Sequence, residues 1–600
     1  MLHPCEYLFP KTLRKTETPV KKCLTIGSCL IGDSISFYKS WYPNVEFEYI
    51  LFNNVSILPE MSQSEVDSYD FQIVQLGVRY VITDDIVDFY KFNSSSDIEP
   101  FMRACEDRLR LMLEAALRYN RENGLLTFVT NFLVPTLPGY SGLNNIGSEF
   151  DISIIIRRIN IFFASLVREY KNVYIIDIDS NASALGKRFL LDDHLNFFTH
   201  NGYWYEGIIE NEKSRIEEVP PLSEISSNLT FEFMQTVWDN ADYLYRVINQ
   251  IDSIKLVIFD LDDTLWRGIL ADNYSEDGPN PQYFGWPMGV AEAIHHLRAR
   301  GILVAVCSKN SEEIVRERWA LAVPYGWFDL DHFVSVQINF EPKVNNIARI
   351  LEATNLTAKS VLFVDDNPVE RQSVQAGFPE MRFIGANPFM TRHVLLRAPE
   401  LQVESVTTES RNRAKTIVAQ KARDEDRTAL SRDQFLMGLD CRVTIGEVQD
   451  SSDERFRRCF ELINKTNQFN TTGVRWSTQA AEHLFSNGGS FVYFSVVDKY
   501  SDYGLVGVIV LNNAEIEQFV MSCRVLGMDV ESGVLRHVLR HNFRSPDMIK
   551  ARFKKTELNL ACRDLFQKNG FKATNTHGDI SELLLQWHEL GDVPKHLTIS

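Results

Sequence analysis

The 600-residue chain predicts an α/β protein made of three successive domains, each built on its own sheet. Short apolar runs rich in β-branched residues recur along the chain, and most end in Gly, Ser or Asp. Stretches with helical periodicity separate them in the first two thirds, which is the rhythm of parallel βαβ units. After about residue 438 the runs Ser490–Val497, Leu505–Leu511 and Glu515–Met521 follow one another directly, which predicts a mixed sheet. The boundaries fall at 1–215, 216–395 and 438–600, with a charged, aromatic-poor connector over 396–437.

Composition narrows the class. The hydrophobic fraction, 44%, is that of ordinary globular protein, and no apolar run is long enough to insert in a membrane. The opening stretch MLHPCEYLFPKTLRK lacks an uninterrupted apolar core, so a cytoplasmic location is the expectation. Nine cysteines without a C-x-x-C pair predict neither a disulfide framework nor a zinc knuckle. The net charge of −18 argues against nucleic acid as the main partner, and an acidic protein partner would need a local basic patch.

In the first domain, strands are expected at Lys22–Ile26, Phe71–Leu76, Leu125–Val129 and Val173–Ile178, with a helix over Arg103–Asn120. The first strand runs into Gly27-Ser28-Cys29, and near the domain's end stands LDDHLNFFTH, with Asp192, His194 and His200. A serine with an Asp/His pair is the material of a nucleophilic triad, the serine being Ser28 or Ser34. This domain resembles the SGNH hydrolases, which implies a flavodoxin-type parallel sheet. The family's Gly-Asp-Ser is Gly27-Ser28-Cys29 at the strand end, while Gly32-Asp33-Ser34 falls in the following helix. Those departures point to a degenerate, non-hydrolytic version of the fold.

The second domain opens with a helical lead-in over Leu222–Ile251 and then KLVIFDLDDTLW, in which Leu256–Phe259 is a buried strand. Asp260, Asp262 and Thr264 follow at its carboxyl end, where open α/β sheets bind ligands. Paired carboxylates there repel unless a cation separates them, and a hard divalent ion, Mg²⁺, with phosphate as co-ligand satisfies them. Three further pieces follow in order: the strand Ile302–Cys307 with Ser308-Lys309-Asn310, then Lys343, then the strand Val361–Val364 with Asp365-Asp366. The set resembles the haloacid dehalogenase (HAD) phosphatases. The resemblance makes Asp260 the nucleophile and Asp262 the acid and base. Thr264 and Ser308, with Lys309 and Asn310 beside them, bind phosphate. Lys343 neutralises charge, and the metal is held by Asp260, Asp262 and either Asp365 or Asp366. Neither the segment after Thr264 nor that after Lys343 is long enough to hold a cap domain, so an open site is expected.

The third domain, with strands at Cys441–Glu447 and the three runs above and helices at Asp453–Lys465 and Ser532–His541, resembles the GNAT acyltransferases. Its pyrophosphate-type turn retains Arg524 and Gly527, but Asp529 stands where that family has a small residue. A scaffold or carrier-docking role is therefore expected for it.

DLDDTLWRG, VAVCSKN, FVDDNPVER, LINKTNQFN and MSCRVLG together resemble the FkbH family over most of Lys255 to Phe571. That resemblance implies removal of phosphate from 1,3-bisphosphoglycerate and transfer of its glyceryl group to an acyl carrier protein thiol, for polyketide or surface-polysaccharide assembly. Cys307 is the candidate thiol within the enzyme, although strand alternation turns it away from Ser308. Asp263, where the family commonly has Asn, and the segment RGILADNYSEDGPNPQYFGWP depart from the pattern. The competing readings are a plain small-molecule or sugar phosphatase, and an SGNH-type esterase or O-acyltransferase fused to the phosphatase domain.

Overall fold

The computed structural model describes residues 4–17, 19–52, 57–83, 94–136, 143–190, 214–221, 224, 229–406, 423, 431–466, 468–543, 548–556 and 558–600. Asp192, His194, His200 and the expected helix at 412–421 lie outside the described residues. The chain forms two compact units. One comprises Met1–Pro10, Thr16–Tyr245 and Thr478–His483; the other comprises Lys11–Lys15, Arg246–Ser477 and Leu484–Ser600. Among the described residues, no helix is long and apolar enough to cross a membrane.

The first unit is built on a five-stranded sheet in the order β2-β1-β3-β4-β5. Its strands are β1 (Lys22–Gly27), β2 (Glu46–Leu51), β3 (Phe71–Val74), β4 (Thr127–Thr130) and β5 (Val173–Ile176), and all pairs are parallel. β3 and β4 are buried along their whole length, as strands covered on both faces must be. The polar pair inside bonds to itself: Gln72 Nε2 donates to Thr127 Oγ1 at 2.8 Å across the β3–β4 register. Helix α1 (Cys29–Trp41) leaves the end of β1.

The second unit carries two sheets. The parallel one has the order β10-β9-β6-β7-β8, with β6 (Leu256–Phe259) at its centre. β7 (Leu303–Ser308) and β9 (Val361–Val364) flank it, and β8 (Val336–Ile338) and β10 (Arg382–Ile384) are short edges. Every residue of β6 and β9 is 0% exposed. Burial of such side chains contributes about 1.5–3 kcal/mol each, which fixes the register that the site depends on. The helices that matter here are α2 (Trp286–Ala299), α3 (Glu312–Ala322) and α4 (Lys343–Thr354), which begins with the lysine singled out in the sequence.

The third sheet has eight strands in the order β16-β17-β15-β14-β13-β12-β11-β18. They are β11 (Cys441–Val448), β12 (Ser490–Val497), β13 (Asp502–Asn512), β14 (Glu515–Met521), β15 (Lys550–Lys554), β16 (Phe571–His577), β17 (Ile580–Leu585) and β18 (Leu597–Ile599). The meander β11 to β14 is antiparallel, whereas β14 and β15 are parallel and pair only through Glu515–Lys550 and Ile516–Ala551. Helix α5 (Phe456–Lys465) precedes the stretch that fills the gap where they part. Thr471 N donates to Phe519 O at 3.1 Å, and Lys554 N donates to Thr471 O at 2.8 Å. The motif LINKTNQFN thus leads into a piece of chain that takes up the hydrogen bonds between two separated strands.

Candidate active site

The site forms at the carboxyl ends of β6, β7 and β9. Asp260 is the first residue beyond β6, and its N–H donates to Val364 O at 2.9 Å. Leu261 O then accepts from Thr264 N (3.2 Å) and Leu265 N (2.8 Å), closing a tight turn. Asp263 sits at φ 51°, a conformation that Asp and Asn tolerate best, and its Oδ1 accepts from Gly268 N at 2.7 Å. The Asp that departs from the family pattern therefore closes this loop.

Lys343 is 3% exposed and lies between two carboxylates, with Nζ 3.0 Å from Asp260 Oδ1 and 2.6 Å from Asp365 Oδ2. Asp365 is fully buried, and its other oxygen accepts from Asn367 N at 2.8 Å. Gly385 passes so close that a Cβ there would stand 2.1 Å from Asp365 O, so only glycine fits beside this residue. Ser308, 2% exposed at the end of β7, hydrogen-bonds Asp260. Thr264 Oγ1 accepts from Asp366 N at 3.3 Å.

One oxygen from each of Asp260, Asp365 and Asp366 lies within 4.8 Å of the others. Burial raises the carboxyl pKa of all three; the charge of Asp260 adds to this at Asp365, and that of Asp365 adds to it at Asp366. Three carboxylates against the single Lys343 ammonium leave two uncompensated negative charges on hard oxygen donors. That donor set fits a small divalent cation. On Lys343, burial works to lower the ammonium pKa, but Asp260 and Asp365 more than offset it.

Asp262 is not part of the carboxylate cluster. Its Oδ1 accepts from Trp266 Nε1 and from Leu270 N, both at 2.9 Å, and its Oδ2 accepts from Asn310 Nδ2 at 2.9 Å. The carboxyl is thereby held in one orientation, and burial raises its pKa, as proton donation near neutral pH requires. Trp266, 1% exposed and edge-on to Trp319 at 5.5 Å, is both a core residue and a fixed donor. Its spacing of four from Asp262 is the one sequence signal of this contact.

Other expected residues fall elsewhere. Asn310 orients Asp262 in this structure, and its Oδ1 accepts from Ser311 N at 2.8 Å. Lys309 pairs with Glu370 at 2.6 Å. Cys307 is 0% exposed in the apolar cluster that the helix beginning at Lys343 packs on, its Sγ lies 3.9 Å from Lys343 O, and burial pushes its thiol up to about 12. The candidate acyl-carrying thiol thus has a buried core position against the first residue of α4.

In the first unit, Ser28 is buried at the end of β1 and Ser34 lies inside α1. A Cβ at Gly27 would stand 2.4 Å from Ile31 Cδ1 and 3.0 Å from Gln75 O, so a larger residue there needs Ile31 to move. In the third sheet, Arg524 is 8% exposed, with Nε donating to Ser522 Oγ at 3.0 Å, and Gly527 has φ 82°. Asp529 at φ 59° pairs with Arg432 at 2.7 Å.

No family model matches the chain, and no curated protein matches it. Among solved structures, the N-terminal part of protein BF1531 from Bacteroides fragilis is described as containing a phosphatase domain complexed with Mg. It is 19% identical, covers 68% of this chain and 100% of its own, and gives a TM-score of 0.45. The cobalt-bound deoxy-D-mannose-octulosonate 8-phosphate phosphatase YrbI of Haemophilus influenzae is 23% identical. It covers 21% of this chain and 67% of its own, with a TM-score of 0.17.

Proposed function

We propose that this chain is a Mg²⁺-dependent phosphatase of the HAD type that also transfers a glyceryl-type acyl group to an acyl carrier protein. The observation that carries the phosphatase reading is the pairing of two carboxylates with opposite surroundings at one strand end. Asp260 lies against Lys343 and Ser308, and Asp262 is fixed by three N–H donors. Asp260 attacks phosphorus and the ester oxygen departs with a proton from Asp262. Water then cleaves the aspartyl-phosphate while Asp262 takes its proton back. Ser308, which hydrogen-bonds Asp260, and Thr264, whose Oγ1 accepts from Asp366 N, would bind phosphate oxygens, and Asp260, Asp365 and Asp366 would hold Mg²⁺. The ion supplies charge neutralisation for the transferring phosphoryl group.

The transferase part is supported by the FkbH-like motifs and by the short segments around the site, which suit a donor or acceptor carried on a large partner. With an acyl phosphate such as 1,3-bisphosphoglycerate, a carrier thiol attacks the carbonyl carbon and the carbon–oxygen bond to phosphate breaks. A thioester forms, phosphate leaves, and the thiol proton passes to solvent. The burial of Cys307 favours direct transfer over a relay through the enzyme, and it equally suits a plain phosphatase acting on a small phosphorylated molecule.

Intact mass spectrometry of a phosphopantetheinylated carrier, incubated with the enzyme, Mg²⁺ and 1,3-bisphosphoglycerate, separates these readings when free phosphate is followed in parallel. A glyceryl-sized mass gain supports transfer. Phosphate release with no gain on either the carrier or free pantetheine assigns a plain phosphatase. Release that survives Asp260→Asn removes Asp260 from the role of nucleophile.

A further inference from the structure

The three N–H donors that hold Asp262 lead back to one helix, α3, which contributes no residue to the carboxylate cluster. Asn310 donates directly and stands one residue before Ser311, the N-cap of α3. Trp266 meets Trp319 edge-on towards the carboxyl end of α3, and Trp319 is itself fixed by its Nε1, which donates to Phe328 O at 3.0 Å. The third donor, Leu270 N, opens the helical turn Leu270–Asn273. Arg318, beside Trp319 on α3, holds that turn: its Nη1 donates to Ala271 O and to Tyr274 O, both at 2.8 Å.

A single turn does not hold itself. Closing the first turn of a helix fixes several dihedrals for one hydrogen bond, and the carbonyls at its end need partners from outside. Here Ile269 O accepts from Asp272 N at 3.2 Å and from Asn273 N at 2.8 Å, and Asn273 Oδ1 accepts from Ile269 N at 2.7 Å. Arg318 supplies what these bonds leave open. Two N–H bonds of one guanidinium nitrogen reach carbonyls three residues apart, which fixes the rotation of the turn and with it the direction of Leu270 N–H. That direction matters at the carboxyl. Asp262 Oδ1 accepts from both Trp266 Nε1 and Leu270 N, which fills its two lone pairs, whereas Oδ2 accepts from Asn310 alone. The proton that Asp262 transfers is thereby left to Oδ2. Without the Leu270 bond, Oδ1 regains a place for the proton, and the carboxyl presents it to a leaving oxygen less often.

We propose that Arg318 is a positioning residue for phosphoryl transfer, acting on Asp262 through the turn it holds and the N–H of Leu270. The inference rests on the phosphatase reading above, in which the phosphorus–oxygen bond of the ester breaks and that oxygen leaves with the proton of Asp262. An alkoxide needs this proton, whereas 4-nitrophenolate is stable enough to leave without it. The test is the first turnover of the full-length Arg318→Met protein with Mg²⁺ on two substrates. Glycerol 3-phosphate is followed by quenched release of glycerol, and 4-nitrophenyl phosphate by its burst of 4-nitrophenolate. Glycerol release should slow about tenfold and the burst less than about twofold, the loss expected for one hydrogen bond to a group that acts on the alkyl ester alone. Arg318→Lys, which keeps a donor near the two carbonyls, should recover part of the loss. Both rates are first-order constants from one preparation, so their ratio does not depend on how much of the variant is folded. Equal slowing of both substrates assigns Arg318 to the fold alone and overturns the proposal. So does a ratio unchanged from that of the unaltered enzyme while Asp262→Asn does change it. If Asp262→Asn also leaves the ratio unchanged, Asp262 is not the acid, and the phosphatase reading of that residue falls together with the proposal.

Discussion

Lys343→Met tests the charge balance of the site most directly. The ammonium it removes is 3.0 Å from Asp260 and 2.6 Å from Asp365, and all three groups are at least nine-tenths buried. Without it the two carboxylates face each other with oxygens no more than 4.8 Å apart. At an effective dielectric of ~20, that repulsion is about 3.5 kcal/mol. The general cost of breaking a buried ion pair, about 3–5 kcal/mol, agrees. In chelator at pH 8, the urea transition of the second unit, read by the fluorescence of Trp266 and Trp319, should lose that much stability. Mg²⁺ should restore a large part of it, because the ion replaces the missing charge. The direction with pH follows from the raised carboxyl pKa of Asp260 and Asp365. The stability tied to a raised carboxyl is present at low pH and lost as pH rises through the folded value, so the deficit of the variant should grow from pH 5 to pH 8. A loss under about 1 kcal/mol at pH 8 in chelator would refute the reasoning, since a pair worth so little is exposed rather than buried.

Trp266→Phe keeps a ring against Trp319 but removes one of three donors to Asp262. A hydrogen bond to a charged group is worth about 1.5–3 kcal/mol, so phosphate release should slow about tenfold or more with the fold retained; an unchanged rate would show that Asp262 does not depend on this contact. Glu400 is 1% exposed, neither carboxylate oxygen has a hydrogen-bond partner among the described residues, and burial raises its pKa despite nearby Arg14, Arg246 and Arg382. Its neutral form is the one the fold accepts, so stability is lost as pH rises through the folded value, and Glu400→Gln should raise the denaturation midpoint at pH 8 but not at pH 4. An equal effect at both pH values would mean that the carboxylate is not the source of the cost.

The parallel strands around the site were legible because burial on both faces writes itself as uninterrupted apolar residues. Val361–Val364 is found where it was read, and β6 and β7 lie where the runs before Asp260 and Ser308 placed them. β2 was not read, because EFEYIL is an edge strand whose glutamates pair with Lys22 at 3.0 and 2.6 Å and which carries no continuous apolar signal. The joining of Asp260, Lys343 and Asp365 follows from strand order, which the spacing of the motifs conveyed. The restraint of Asp262 does not follow in that way. It depends on a turn at positive φ that brings Trp266 and Leu270 back on the carboxylate, and no periodicity encodes such a turn. Nor does any local pattern reveal that Phe469–Thr472 serves as the bridge between β14 and β15, since its partners lie far along the chain.

The stretches where a cap was excluded by length bear on how this site handles water. After Thr264 come a single helical turn at Leu270–Asn273, a loop and α2; between Lys343 and Asp365 stand α4, one 3₁₀ turn and β9. Neither stretch holds an inserted domain, and Asp260, Thr264, Ser308, Lys343 and Asp365 are all under 9% exposed. Depth at the sheet end by itself keeps these groups from solvent in this structure. Asp366, at the exposed side of the cluster, marks where the site meets solvent. A phosphate can enter there while the body of the molecule bearing it stays outside. Under the carrier-loading reading proposed above, selectivity for that body would rest on the surface beyond Asp366 or on the docked partner.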